Sequence, residues 1–316
     1  MRALPTLIPF AAAALLVAAS VAFVENGYFY SASYTVLLYV VLATAWNVLG
    51  GLAGYVNFGS AAFFALGAYT SIALHTLMEP PLLVSIASGT AVAGLVGLAM
   101  GYLTLRLRGV FFAIATLALA QMTFILIVNW EYVGSARGAY VILPEEAPFG
   151  LASQTQFLFA VMALMAAGAL VVARAIETSA VGKGLAAIRD DEVAAECAGV
   201  PTLRLKLVAA TVSGALMGMA GSTFPYFMSY VEPTSVFSLS YAVNSIAMPL
   251  IGGMRSWLGP LVGALLLGTV QQLVQVTVSS EWNLLIVGVL LVLFVTVAPR
   301  GIMGWIRRSS ERRGQG

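Results

Sequence analysis

The sequence predicts an all-α membrane protein, a polytopic bundle of about eight to ten transmembrane helices of about 20 residues each, with both termini in the cytoplasm. Composition is the first observation behind this prediction. Apolar residues make up 60% of the 316 residues, charged residues make up 9%, and the mean hydropathy is +0.96. About a quarter of the residues in a soluble globular protein are charged. Residues 1–316 are therefore predicted to form a single transmembrane domain.

The second observation is a series of apolar runs separated by charges and turn residues. Glycine-rich breaks at 50–54 and 252–254 separate two pairs of runs, so one segment could be re-entrant and the number of spans could fall by about two. The first run has a basic start and small residues near its end, so it could also be a cleaved signal peptide. The runs are 4–24, 34–50, 55–77, 82–104, 110–130, 155–173, 207–227, 239–253, 259–279 and 283–299.

The placement of the charges predicts the orientation. If the N-terminus is cytoplasmic and the runs alternate in direction, every basic residue except Arg137 falls in an inner loop or at a terminus. This is the distribution that the positive-inside rule describes. The outer loops then hold acidic residues instead, namely Glu25, Glu79, Glu131, Glu145, Glu146, Glu232 and Glu281. Both termini and the charged segment 174–206 are thus predicted to face the cytoplasm.

Glycines four residues apart recur in the apolar runs. This spacing lets two helices approach closely, because the glycines form a smooth stripe on one helix face. The pairs therefore predict a compact bundle with several close crossings. They are Gly50 and Gly54, Gly97 and Gly101, Gly214 and Gly218, and Gly259 and Gly263.

The charged segment 174–206 lies between the sixth and seventh runs and is predicted to contain a helix that lies in water. Residues 184–198 are mostly good helix formers, Gly199 is placed to end the helix, and Pro201 prevents its continuation. Such a helix suits a groove on another protein; the alternative is a solvated loop with ordinary helix content. We expect apolar anchors at Leu185, Ile188 and Val193, surrounded by Arg189, Asp190, Asp191, Glu192 and Glu196.

The sequence argues that any energy for transport comes from outside the chain. No formally charged residue lies within the ten runs, whereas ion-coupled carriers usually bury acidic or histidine side chains. Because sodium sites can be built from backbone carbonyls alone, secondary transport is disfavoured and not excluded. The segment 182–184 lacks the earlier glycine and the following Ser or Thr of a P-loop. A single cysteine, Cys197, and a single histidine, His75, predict no metal site and no intramembrane enzyme.

Neutral polar side chains inside the runs are the candidates for lining a solute path. They would suit an uncharged or zwitterionic solute; alternatively, each side chain hydrogen-bonds a neighbouring helix. By contrast, we expect Gln271, Gln272 and Gln275 near the outer surface of the bundle. The path candidates are Asn47, Asn57, Gln121 and Asn244.

Several stretches resemble the branched-chain amino acid ABC-transporter permeases, and the M-type subunit is a better match than the H-type. The first two are GGLAGYVNFGSAAFFALGAYT at 50–70 and RLRGVFFAIATLALAQM at 106–122. GKGLAAIRDDEVAAECAGV at 182–200, IGGMRSWLGPLVGAL at 251–265 and APRG at 298–301 follow in the expected order. One departure is the outer loop 133–140, which lacks the Thr-Gly-Gly run that family members often carry.

The resemblance implies the transmembrane permease subunit of an ATP-driven ABC importer in a bacterial inner membrane. Its implied solute is a branched-chain amino acid or a related small polar solute, such as urea, a short amide or an aromatic acid. The implied partners are a second, homologous permease that completes a heterodimer, two cytoplasmic ATPase subunits, an extracytoplasmic solute-binding protein and membrane lipid, with no nucleic acid. ATP and Mg²⁺ would be used by the ATPase subunits, and this chain would bind no cofactor and catalyse no reaction.

The resemblance also implies that segment 174–206 is the coupling loop, with the helix that contacts the ATPase between spans 6 and 7. The rival interpretation is a secondary transporter or channel that acts without ATPase partners. The residues assigned to coupling are Gly184, Leu185, Ile188, Arg189, Asp190, Asp191, Glu192, Glu196 and Gly199.

Overall fold

The computed structural model describes residues 4–24, 26–107, 109–141 and 153–277, together with residues 285, 288–289, 292, 296 and 301–304. Within these residues the chain is a helical bundle with one two-stranded sheet. Eight described helices are long and apolar enough to cross a membrane, which confirms the predicted polytopic bundle. Seven of the eight are α2 (Gly27–Ala53), α3 (Ser60–Met78), α4 (Leu82–Thr104), α5 (Val110–Val128), α6 (Gln154–Thr178), α9 (Thr202–Met228) and α12 (Gly259–Thr277). The eighth, residues 233–252, ends in α11 (Leu239–Gly252), and the helix α1 (Leu4–Phe23) precedes all eight.

Short elements occupy the connections between the long helices. The helices α7 (Ala180–Asp190) and α8 (Glu192–Cys197) lie between α6 and α9. The strand β1 (Ala139–Tyr140) pairs antiparallel with β2 (Tyr230–Val231), and α10 (Pro233–Val236) follows β2. Two single turns of 3₁₀ helix, Glu131–Val133 and Ser135–Arg137, precede β1.

The first nine predicted spans each correspond to a helix, but several boundaries differ. Helix α2 begins at Gly27 instead of residue 34. Its first turns are fixed against the end of α1, because the Tyr30 hydroxyl donates to the carbonyls of Ser20 and Val24 at 3.0 and 2.7 Å. Helix α3 begins at Ser60, five residues later than predicted, because residues 54–59 form a loop. The tenth predicted span, 283–299, falls mostly outside the described residues.

Glycines bring the central helices into backbone contact. A methyl group on Gly97 would lie 2.9 Å from the Ala210 carbonyl oxygen, and one on Gly214 would lie 2.8 Å from the Ala93 carbonyl oxygen. Helices α4 and α9 therefore cross with their backbones touching, as the glycine spacing predicts. The pair at Gly50 and Gly54 is different, because the Trp46 ring of the same helix covers Gly50 and Gly54 ends α2.

Contacts among the connections define two ends of the bundle. The α8 end consists of loop 54–59, the turn after α4, α7, α8, the start of α9 and the turn 253–258. At this end the Trp257 backbone N–H donates to Glu177 at 2.6 Å, and the Arg174 guanidinium lies 5.1 Å from the centroid of the Trp257 ring. The opposite end, called the β end, holds the residues after α3, the 3₁₀ turns, both strands and α10. There the Tyr132 hydroxyl donates to the Ala73 carbonyl at 3.3 Å.

Candidate functional site

The charged segment forms two helices instead of the single helix predicted over 184–199. Helix α7 ends at Asp190, and Asp191 adopts an extended conformation with φ −159° and ψ 110°. Its carboxylate then accepts hydrogen bonds from the backbone N–H groups of Val193 and Ala194 at 2.9 and 3.0 Å. Asp191 is therefore the N-cap of α8, a role that aspartate commonly fills. Its carboxylate holds the helix start, contrary to the expectation that it surrounds the apolar anchors.

Helix α8 ends where the sequence predicts. Gly199 has φ +81°, a left-handed conformation that costs glycine little. The Gly199 N–H donates to the Glu196 carbonyl at 2.9 Å, and the Val200 N–H donates to the Ala195 carbonyl at 3.0 Å. This pair of hydrogen bonds is a Schellman motif, which satisfies the last carbonyls of a helix.

Helix α7 is attached to the bundle through Leu185 and Ile188, two of the three residues that the sequence predicts as apolar anchors. Leu185 and Ile188 are 0% and 3% exposed and belong to the same buried cluster as Val48 and Leu49 of α2. Gly184 faces Leu205 of α9 closely enough that a methyl group would overlap its side chain. Both side chains face the bundle, so neither is available as an anchor in a groove on another protein, and a role for them in coupling stays a prediction.

Arg189 joins the end of α7 to the end of α2. Its guanidinium donates to the Gly51 carbonyl at 3.2 Å, and it pairs with the exposed carboxylate of Asp190 at 3.4 Å. The stem of Arg189 passes over Gly54, where a methyl group would lie 2.9 Å from Arg189 Cγ. Gly54 also has φ +79°, so both its conformation and its neighbour favour glycine.

A buried ion pair attaches α8 to the bundle. Lys206 Nζ lies 2.7 Å from Glu192 Oε1, and the two side chains are 4% and 12% exposed. The same ammonium group donates to the Leu105 carbonyl at 2.8 Å and to the Tyr55 hydroxyl at 3.1 Å. The Tyr55 hydroxyl in turn donates to Glu192 Oε2 at 2.5 Å. Glu192 therefore faces inward, contrary to the expectation that it forms part of a charged outer surface.

The remaining side of α8 is exposed. Val193 is 54% exposed, and Ala194, Glu196 and Cys197 are exposed beside it. Glu196 also accepts a hydrogen bond from the Thr202 hydroxyl at 2.8 Å, which orients its carboxylate toward the start of α9. We define the α8 surface as Asp190, Val193, Ala194, Glu196 and Cys197. It is a small apolar patch bordered by two carboxylates.

A cavity of about 510 Å³ lies beside the junction of α7 and α8. One wall is the end of α2 with the following loop, a second is the start of α5, and the third is the junction itself. The exposed side chains of Val56 and Val110 lie in its lining. The lining residues are Ala53, Gly54, Tyr55, Val56, Phe58, Gly109, Val110, Ala113, Ile188, Arg189 and Glu192.

The four predicted path residues are not brought together in one place. Asn47 is buried near the α8 end, where its amide approaches the Ser256 carbonyl at 3.5 Å. Asn57 is buried in loop 54–59, where its side chain accepts from the Gly59 N–H at 2.7 Å and its carbonyl accepts from the Trp46 indole at 2.8 Å. These contacts hold the turn before α3, so a role for Asn57 in a solute path stays a prediction.

Asn244 and Gln121 occupy very different surroundings. The Asn244 amide donates to the Tyr39 hydroxyl at 3.3 Å, and its carbonyl oxygen accepts from Gln271 at 2.9 Å. Gln271 is 4% exposed, which corrects its expected position near the outer surface. Gln121 is exposed on α5. It follows Val110 by three helical turns, about 11 residues, and therefore shares the helix face of that cavity-lining residue.

The network of Lys206, Glu192 and Tyr55 is the part of this site that sequence reasoning missed. Lys206 was placed in a cytoplasmic loop, whereas it lies in the second turn of α9 and is 3% exposed. A signal was available, since Glu192 and Lys206 are oppositely charged residues on either side of the Pro201 turn. The contact with Tyr55 joins residues 151 positions apart, so no local pattern could reveal it.

Comparison with known proteins agrees with this architecture. The family model for branched-chain amino acid transport system permease components matches residues 28–295. The chain is 28% identical to the high-affinity branched-chain amino acid transport system permease protein LivM of Salmonella typhimurium, over 88% of this chain and 72% of the relative. It is 24% identical to the LivH permease protein of the same transport system and organism, over 84% of this chain and 91% of the relative.

A relative from a different transport system also matches. The chain is 28% identical to the L-arabinose ABC transporter permease protein AraH of Azospirillum brasilense, over 77% of this chain and 71% of the relative. No solved structure matches the chain with significance. The family match covers most of the chain and includes the helices that build the α8 end. The chain therefore belongs to the family of branched-chain amino acid transport system permease components, and it is a permease subunit of an ABC importer and not an enzyme.

Proposed function

We propose that this chain imports branched-chain amino acids, or a related small polar solute, across a bacterial inner membrane as one half of a permease heterodimer. Two cytoplasmic ATPase subunits drive the transport by acting on α8, and an extracytoplasmic binding protein delivers solute at the β end. The observation that carries this proposal is the attachment of α8. Its inner side is tied to the bundle through Glu192, while the opposite side is an exposed patch that includes Val193.

The α8 surface supports contact with an ATPase subunit. A short helix with an exposed apolar centre and a charged border suits a protein groove. Because α7 is buried against α2 and α6, a force applied to α8 would reach the ends of those spans through contacts that are already formed. The coupling helix of this proposal is therefore α8, with α7 as its support.

The charges support a cytoplasmic position for the α8 end. Arg106, Lys183, Arg189, Arg204 and Arg255 belong to the connections at this end. Among the described residues, Arg137 is the one arginine or lysine at the β end, which also holds Glu79, Glu131 and Glu232. This asymmetry is the one that the positive-inside rule describes for bacterial membranes.

Helix α5 supports a second permease as a partner. Among the described spanning helices it is the least buried within the chain. Gln121 is exposed near its middle, where an amide in contact with lipid would be unfavourable. We propose that this face of α5 lies against the second permease or the solute path between the two subunits. The similarity of the chain to both LivM and LivH supports a partner of the same fold.

The nature of the solute rests on the relatives and on the polar interior. LivM and LivH are named for branched-chain amino acids and AraH for L-arabinose, so the family includes more than one solute class. The buried cluster of Tyr39, Asn244 and Gln271 carries no formal charge. We propose that this neutral cluster lies on the solute path, where it would favour a zwitterionic or uncharged solute such as a branched-chain amino acid.

We assign ATP and Mg²⁺ to the partner ATPases, and we assign no cofactor to this chain. Residues 182–184 lie in the first turns of α7 and not in a loop before it. A P-loop needs backbone N–H groups in a loop that surrounds the phosphates, together with a Ser or Thr for the metal. Gly184 occupies the position where that hydroxyl would stand.

Reconstitution tests the proposal. The chain is placed in proteoliposomes alone, and with its second permease, ATPases and binding protein, and uptake of radiolabelled leucine, urea and benzoate is measured. We expect ATP-dependent uptake of at least one solute, leucine first, by the complete complex only. Uptake by the chain alone, driven by a proton or sodium gradient, would instead identify a secondary transporter. Absence of ATP-dependent uptake of all three probes by the complete complex would contradict the proposed importer.

A further inference from the structure

We propose that Lys206, Glu192 and Tyr55 are positioning residues that make α8 move as one unit with loop 54–59 and the start of α9. This inference rests on the proposed function, in which the ATPases act on α8. The three residues belong to three separate segments of the chain, and they meet at the inner side of α8. The Lys206–Glu192 ion pair joins the first residue of α8 to α9.

The geometry of the network holds the first residue of α8 against loop 54–59 and the start of α9. An ammonium group has three donors, and those of Lys206 point to the Leu105 carbonyl, Glu192 Oε1 and the Tyr55 hydroxyl. The second carboxylate oxygen of Glu192 accepts from Tyr55. Hydrogen bonds to charged groups are short and directional. Two of these bonds reach α8, both at the Glu192 carboxylate, so a displacement of α8 away from Lys206 or Tyr55 stretches at least one of them.

Stability alone does not account for a buried ion pair at this position. Removing two charges from water costs much of what their attraction returns, so well-packed apolar side chains usually stabilise a protein as well or better. Helix α7 shows the apolar solution in the same protein, with Leu185 and Ile188 buried in the bundle. Apolar contacts are not directional and allow small shifts. The ion pair therefore gives α8 a defined position relative to loop 54–59 and the start of α9.

The network also connects the α8 surface to the cavity. Glu192 is the first residue of α8, and Val193 of the exposed surface follows it directly. Tyr55 and Glu192 both line the cavity, and the Tyr55 ring packs edge-on against Phe112 of α5 with ring centroids 5.0 Å apart. A movement of α8 would therefore be passed to loop 54–59 and the start of α5, which form two of the three cavity walls.

The test separates positioning from folding by replacing the ion pair with apolar side chains. In the reconstituted complete complex, the double variant Glu192→Leu with Lys206→Met leaves no buried charge unpaired. We expect it to assemble and hydrolyse ATP near the wild-type rate, while solute uptake per ATP falls about tenfold, within the usual range of coupling between sites. A purely structural role would lower assembly and hydrolysis together and leave the ratio unchanged.

Single variants with matched controls complete the test. Tyr55→Phe keeps the ion pair and removes the hydroxyl with its two hydrogen bonds, so uptake per ATP should fall at least about threefold, on the scale expected for the loss of hydrogen bonds to charged groups. Lys183→Met and Tyr102→Phe, which change exposed residues, should leave the ratio unchanged.

A wild-type ratio in the double variant overturns the inference. If the double variant does not assemble, a wild-type ratio in Tyr55→Phe overturns it. A wild-type complex without ATP-dependent uptake contradicts the proposed function itself, whereas uptake that is insensitive to these variants contradicts only the positioning role.

Discussion

Helices α7 and α8 are consecutive parts of one charged segment, yet they are attached to the bundle in different ways. Helix α7 buries Leu185 and Ile188 in a cluster with residues of α2 and α6. Helix α8 turns the charged Glu192 inward and leaves Val193 more than half exposed. The contacts of α7 resemble those of a protein core. The contacts of α8 combine a directional ion pair on its inner side with an exposed outer side. This difference separates the helix that supports coupling from the helix that is available to a partner.

Shortening a buried side chain of α7 should have the largest effect on stability. Leu185→Ala removes apolar contacts at a fully buried position, so we expect the free energy of unfolding to fall by about 2–5 kcal/mol. Thermal unfolding of the purified protein in detergent measures this loss. The matched control is Leu107→Ala, because Leu107 is 42% exposed at the same end of the bundle. Equal losses for the two variants would show that α7 is not held by burial of Leu185.

A change at the end of α8 should have an intermediate effect. Gly199→Val places a β-branched residue at φ +81°, which costs about 1–2 kcal/mol in the left-handed region. We expect the end of α8 to unwind and solute uptake by the reconstituted complex to fall. Ala198→Val is the control, since Ala198 has an ordinary φ of −80°. Unchanged uptake with Gly199→Val would show that transport does not need this helix end.

A change on the α8 surface should leave stability almost untouched and act on partner binding. Val193→Arg alters an exposed residue, so the free energy of unfolding should change by no more than about 0.5 kcal/mol. The ATPase subunits should nevertheless be lost when the tagged permease is purified. Tyr140→Arg changes a 73% exposed residue at the β end and should retain them. Retention of the ATPases by the Val193 variant would place their contact elsewhere.

The structure also narrows which acidic residues can be used in such experiments. From the sequence, Asp190, Asp191 and Glu192 form one acidic run suitable for joint replacement by lysine. In the structure Asp191 caps α8 and Glu192 belongs to the ion pair, whereas the Asp190 side chain is 68% exposed. Replacing all three residues would therefore disrupt both the start of α8 and the ion pair between Glu192 and Lys206. Asp190 alone can be reversed in charge without breaking either.

Hydropathy predicted the helices well and their connections poorly, for physical reasons. Membrane spans need long apolar runs, so their existence follows from composition. The sequence places residues 55–59 inside a span because Tyr55, Val56 and Phe58 are apolar or aromatic, whereas these residues form a loop after Gly54, which ends α2 with a positive φ. The α7–α8 junction depends on one side chain, Asp191, that takes its cap role only when the helix breaks there.

The sequence indicates which segment holds the candidate site, but it does not indicate which side chains of that segment face the bundle. The concentration of charge between two spans marks the segment that forms α7 and α8, and Gly199 ends α8 as predicted, whereas a coupling role for this segment stays a prediction. The inward direction of Leu185, Ile188 and Glu192 depends on what α2, α4 and α9 place opposite them. Lys206 appeared to belong to a loop because charges are unfavourable inside spans, yet its partner Glu192 and the Leu105 carbonyl satisfy its ammonium group at the end of the bundle.

The position of Cys197 gives the most direct test of the central claim that α8 lies in the cytoplasm and receives the ATPase. Cys197 is the single cysteine of the chain and is exposed on the α8 surface. A membrane-impermeant maleimide should label it in inside-out vesicles stripped of ATPases, should label it much less when the ATPases are bound, and should not label it in intact cells. Labelling from outside intact cells would place α8 on the wrong side of the membrane and contradict the account.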